Sequence, residues 1–133
     1  MISLIRVQFK DVDLSRRIHY SALFRFFEQA DHELFRSIGF SYKELIGKKI
    51  QLPRVNVACD YMGVINYDDV LELHTIIEHI GNSSFRYRFE FYKEEVLVAL
   101  GKMTIVFTDD TIGKSIKIPD EIRKELEKRT LQD

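Results

Sequence analysis

Two acids, Asp11 and Asp13, stand at the end of a short alternating stretch and just ahead of a strongly apolar one. A carboxylate in that place can deprotonate a water, attack an electrophilic carbonyl or hold a ligand. An acid fixed between a strand end and a helix start has little freedom, and such acids are often where chemistry or specific binding is found. The same pair also reads as plain turn residues, because an Asp side chain bonds the nearby backbone.

The surrounding elements decide how firmly such an acid is held. Over residues 4–9, Leu4, Arg6 and Gln8 alternate with Ile5, Val7 and Phe9, which predicts a strand. From Tyr20 to Ile38 the period changes. Leu23, Phe27, Ala30, Leu34 and Ile38 recur at steps of three and four, and Phe24, Phe26 and Phe35 widen the stripe. This predicts a helix buried on more than one side, with Ser21 as N-cap and Gly39 as C-cap. A further helical turn or two follows, between Ser41 and Gly47. Four strands come next. They cover Gln51–Tyr61, Val70–Ile80, Ser84–Lys93 and Val96–Thr108. Short polar turns join the last three, which predicts an antiparallel meander. Residues 109–118 read as loop and Pro119 to Lys128 as a charged helix. One very apolar helix needs a sheet curved around it to cover its faces.

The 133 residues make one domain, 1–133, with a real core. A formal net charge of −1 gives no basic face for nucleic acid. No apolar run approaches a membrane span, and MISLIRVQFK reads as a strand rather than a signal peptide. The single cysteine, Cys59, has no internal partner for a disulfide, so a cytoplasmic location is the default. On its apolar strand face Cys59 reads as a small core residue. His19, His32, His74 and His79 show no ligand spacing, so neither metal nor cofactor is expected.

The stretch FKDVDLSRRIHYSALFRFFEQADHELFRSIG, with its Asp-x-Asp, His19-Tyr20 and Phe26-Phe27-Glu28-Gln29-Ala30, resembles the opening motif of hotdog-fold acyl-CoA thioesterases of the 4-hydroxybenzoyl-CoA thioesterase type. Asp60-Tyr61, Asp68-Asp69 and Gly81-Asn82-Ser83-Ser84 resemble the second block of that family. The resemblance runs from about residue 4 to about residue 119. It implies an α+β hotdog fold, a five-stranded antiparallel sheet wrapped around one long central helix. It also implies a homodimer or homotetramer that hydrolyses an acyl-CoA thioester between subunits, with Asp13 as the catalytic carboxylate.

A thioester carbonyl is electrophilic enough for Asp13 to act as general base or nucleophile. Backbone N–H groups around His19 to Ala22, at a helix N-terminus, are the expected oxyanion donors. His19 and Tyr20 stand beside the acid as substrate contacts. Where the family carries glycine just after the second Asp, this chain has Leu14-Ser15-Arg16-Arg17, and glycine permits a backbone that Arg resists. Arg16 and Arg17 read either as solvated charges or as a grip on CoA phosphates. Glu28 reads either as a second acid offered to the site of a facing subunit or as a paired structural Glu. Asp60 and Tyr61 are expected to shape the pocket or the subunit seam, and Arg54, Arg86, Arg88 and Lys102 to form a charged sheet face or meet CoA phosphates. A hotdog protein that binds acyl thioesters without catalysis is the competing reading, motivated by the missing glycine.

Overall fold

In the computed structural model, residues 1–130 are described, so the last three positions of the expected domain lie outside the described residues. The chain opens with β1 (Ile2–Arg6), where inward Ile5 is buried, and then a single 3-10 turn at Phe9–Asp11. The strand therefore ends before Phe9, whose exposed ring meets Tyr67 edge-on at 5.9 Å. Helix α1 (Ala22–Ser37) runs 16 residues. It starts directly after Ser21, the expected N-cap position, but Ser21 keeps a helical backbone and turns its hydroxyl to His19 instead of capping an amide. It ends as expected. Gly39 takes φ +87°, and the amides of Gly39 and Phe40 donate to the carbonyls of Arg36 and Phe35, closing the last turn. In α2 (Tyr42–Gly47) the Ser41 hydroxyl does cap, accepting from the Glu44 amide at 3.2 Å.

The expected strand Gln51–Tyr61 is two: β2 (Ile50–Gln51) and β3 (Arg54–Tyr61). Pro53, with no N–H to give, stands between them. Then come β4 (Val70–Ile80), β5 (Ser84–Lys93) and β6 (Val96–Val106), the expected meander. Residues 109–118, expected as loop, contribute to β7 (Thr108–Asp109) and β8 (Lys114–Ser115), which join β2 in a small sheet of three. Helix α3 (Asp120–Glu127) follows Pro119.

The main sheet has five antiparallel strands in the order β1-β4-β5-β6-β3. Its inner face carries Leu71, Leu73 and Ile77 from β4 and Phe85, Tyr87, Phe89 and Phe91 from β5, all fully buried. Helix α1 lies on that face. The Phe27 ring stacks on Phe89 at 4.6 Å and 11°. It gets there because residue 101 on β6 is glycine: a Cβ at that point would sit 2.2 Å from Phe27 Cζ. Burial covers one side of α1 rather than several. Its far face leaves Phe24, Arg25, Glu28, Gln29 and Arg36 exposed. Edge strand β3 is exposed along almost its whole length. Among the described residues no helix is long and apolar enough to cross a membrane.

Candidate functional site

The two acids separate completely. Asp11 is 1% exposed. One oxygen accepts from the Gln8 amide at 2.8 Å and the other from Arg25 of α1 at 2.7 Å, while its carbonyl accepts the His19 amide at 2.7 Å. With the acceptors engaged in this way, Asp11 ties the strand end to the helix. Asp13 is exposed. The chain from Val12 to Ile18 folds back as a tight hairpin, with the Asp13 amide donating to Arg17 and the Arg16 amide returning to Asp13. Inside that hairpin Asp13 Oδ1 accepts from the Ser15 amide at 2.8 Å and from the Ser15 hydroxyl at 2.5 Å. Both bonds favour the ionised form. Together with the His19 and Arg17 charges they hold the Asp13 carboxyl below its ordinary range.

The hairpin also answers the missing glycine. Arg16 takes φ +66°, the left-handed conformation that glycine adopts without cost. Here that conformation carries an Arg side chain. The Arg16 carbonyl accepts the Tyr67 amide at 3.0 Å, and the Ile18 amide donates to Ile65 at 2.8 Å, so the hairpin is docked on the loop before β4. Arg16 and Arg17 are both exposed, and neither forms an ion pair among the described residues.

His19 and Tyr20 lie side by side with ring centroids 4.4 Å apart. The Ser21 amide donates to His19 Nδ1, so the neutral ring carries its proton on Nε2. The Tyr61 hydroxyl, from the end of β3, donates to the Tyr20 carbonyl. Burial pushes that hydroxyl up to about 12, which keeps it a donor at neutral pH. Of the expected oxyanion amides, His19 donates to Asp11, Ser21 to the His19 ring and Ala22 to the His19 carbonyl. The Tyr20 amide alone among the four has no acceptor among the described residues. The donor set expected over His19 to Ala22 thus narrows to one group, which precedes the helix instead of opening it.

Asp13, Arg16, Arg17, His19, Tyr20 and Tyr61 are therefore gathered at one end of α1. Glu28 and Asp60 are not. Asp60 sits opposite Leu100, on the face of β3 away from Tyr61. Glu28 lies two turns further along α1, roughly 12 Å from Tyr20 at the helical rise. It is exposed, without a cation partner among the described residues, and lines a groove of about 420 Å³ with Phe24, Phe27, Arg54, Val57 and Met103. Arg54, expected on a charged sheet face or at CoA phosphates, reaches from β3 to the buried Asp31 instead. Arg86, Arg88 and Lys102 do occupy such a face, all three around Glu78. Burial pushes the Cys59 thiol up to about 11, so it is no thiolate.

Sequence reasoning missed one acid. Asp31 of α1 is fully buried and accepts from the hydroxyls of Tyr42 and Tyr87 and from Arg54 Nη2. Burial raises its carboxyl above the ordinary range against the pull of those three partners. The signal was an acid four residues after Phe27 and four before Phe35, in the middle of the apolar stripe.

The thioesterase-like superfamily profile matches residues 7–126. A protein of Aquifex aeolicus that carries the provisional name of esterase is 32% identical over 117 residues, 88% of this chain and 90% of that one. A 1,4-dihydroxy-2-naphthoyl-CoA hydrolase of Prochlorococcus marinus is 25% identical over 92% of this chain and 85% of its own. Among solved structures, a gentisyl-coenzyme A thioesterase superposes with a TM-score of 0.86 at 25% identity, covering 95% of this chain and 99% of that one. With the acid-bearing hairpin, the helix behind it and the meander all inside the matched span, this chain belongs to the thioesterase-like superfamily.

Proposed function

We propose that the protein is an acyl-CoA thioesterase of the hotdog type, releasing a free acid and CoA, with Asp13 as its catalytic carboxylate. The observation that carries this reading is the contrast between the two acids. Asp11 is buried in structural bonds, whereas Asp13 is exposed, ionised and pinned by Ser15. As general base, Asp13 would take a proton from water as the oxygen attacks the thioester carbonyl. As nucleophile, it would form a mixed anhydride that water then opens. In either route the carbon–sulfur bond breaks and the thiolate of CoA leaves. The Tyr20 amide would donate to the oxyanion, steadied by the Tyr61 bond to the carbonyl of the same residue. Arg16 and Arg17, exposed, and His19, half-buried, are the contacts offered to the CoA chain. The left-handed Arg16 supports this reading over a silent binding protein, because the turn reaches a glycine-favoured conformation without glycine.

Two copies joined along the exposed β3 edge would set the helices side by side and enclose the sites at the seam, with Asp60 and Glu28 near it. Release of CoA from a panel of acyl-CoAs tests the activity. Asp13→Asn is expected to lower kcat/KM by about a hundredfold or more. Full activity in that variant would remove Asp13 from the chemistry.

A further inference from the structure

The hairpin that carries Asp13 rests on the loop before β4. The Arg16 carbonyl accepts the Tyr67 amide at 3.0 Å, the Ile18 amide donates to the Ile65 carbonyl at 2.8 Å, and Arg17 bridges to Asn66 between them. All three supports come from consecutive residues, Ile65 to Tyr67. The placement of the acid therefore depends on what fixes that loop.

Two groups fix it, and both come from the turn end of β5 and β6. Where the loop begins, the amides of Met62 and Gly63 donate to the Val98 carbonyl at 2.8 and 3.0 Å. Val98 is the extra residue of a bulge, since Phe91 pairs with Ala99 and Tyr92 with Leu97. Where the loop ends, Asp69 Oδ2 accepts the Asn66 amide at 2.7 Å, and the Asp69 amide returns to the Asn66 carbonyl at 3.2 Å, closing a turn over residues 66–69. The same Oδ2 accepts from Lys93 Nζ at 2.8 Å, and Nζ also donates to the Val64 carbonyl at 3.4 Å. Lys93 is the last residue of β5, and the left-handed pair Glu94 and Glu95 turns the chain straight into β6. One ammonium on a strand end thus grips the loop on both sides of Ile65–Tyr67. The neighbouring pair Arg6–Asp68 is exposed on both partners and screened, whereas Lys93–Asp69 is sheltered.

We propose that Lys93 is a positioning residue: through Asp69 and the loop Ile65–Tyr67 it fixes the hairpin that presents Asp13. This rests on the reading of Asp13 as the catalytic carboxylate. A reacting group held slightly out of line loses rate even when the change lies far from the chemistry, so the effect falls on kcat.

Lys93→Met is expected to lower kcat about tenfold with KM within about twofold. Lys93→Arg keeps a cation for Asp69 and is expected to restore most of the loss. Asp69→Asn with Lys93→Met removes both charges of one link, and is expected to be no worse than Lys93→Met alone. Should Lys93→Met fail to fold with Asp69 left unpaired, this double variant is read in its place. Carbon-13 NMR titration of the Asp13 carboxyl separates positioning from a general loosening. The Ser15 bonds hold that carboxyl below its ordinary range while the hairpin keeps its shape. Loss of Lys93 is expected to move it up towards the ordinary value with the urea midpoint unchanged. An unshifted Asp13 titration or an unchanged kcat would overturn the proposal. So would a kcat that falls together with the urea midpoint and does not recover in Lys93→Arg. If the unmodified protein hydrolyses no acyl-CoA, the thioesterase reading fails, while a shifted Asp13 carboxyl in the variant still supports the hold of Lys93 on the hairpin. Hydrolysis with an unshifted carboxyl would do the reverse.

Discussion

Ser15 donates to Asp13 through both its hydroxyl and its amide, and these bonds stabilise the ionised carboxylate. The proposed catalysis by Asp13 would need that form. If Asp13 is the catalytic carboxylate, its depressed pKa is expected to place the acid limb of the rate profile below the ordinary carboxylate range, with activity lost as pH falls through it. Ser15→Ala is therefore expected to move the acid limb of kcat/KM to higher pH, measured across the acid range with stability followed in parallel. The same sign holds for folding: the interaction supports the folded state above the ordinary Asp value and fades as pH falls. Next to it, Arg16 bears the strain of a left-handed backbone. Arg16→Gly is expected to raise stability by up to about 1 kcal/mol, read from urea unfolding. A loss of stability would mean that the Arg side chain makes a contact worth more than the strain.

At the scale of elements, the close approach of α1 to the sheet depends on Gly101. A methyl there would meet Phe27 head-on, so Gly101→Ala is expected to cost about 1–3 kcal/mol and to lower the melting temperature. An unchanged melting temperature would show that the Phe27 ring is free to swing aside. This is also the scale at which the sequence was most and least readable. Leu71, Leu73 and Ile77 on β4 and Phe85 to Phe91 on β5 alternate cleanly because only one face is buried, and short turns make neighbours of consecutive strands. The seat of β1 beside β4 rests on backbone bonds between segments about seventy residues apart, which no local pattern encodes. The two-residue strands β2, β7 and β8 are too short to show a period. Within the site, the Asp-x-Asp motif was visible, but the division of labour between Asp11 and Asp13 was not. It depends on Arg25 reaching back from α1. Asp31 was hidden for a related reason, since Tyr42, Arg54 and Tyr87 come from three other elements.

For the whole molecule, β1 and β3 are the two edges of the main sheet, and β3 is the one exposed along almost its whole length. Its flank exposes Val55, Val57, Tyr61, Met62 and Val64, an apolar run on an unpaired strand edge. Such an edge is a template for pairing with another chain. Light scattering is expected to give a multiple of the 15.8 kDa chain mass, and Val55→Lys to shift it toward a single chain. A single-chain mass for the unmodified protein would remove the proposed seam.

The bond from Tyr61 to the Tyr20 carbonyl joins that edge to the end of α1 where Asp13 stands. One strand would then serve both association and catalysis. Dilution that separates the copies would loosen the strand holding Tyr20, so turnover per molecule would fall as the protein is diluted and recover on concentration. The enzyme would work only where the chain is abundant enough to find itself.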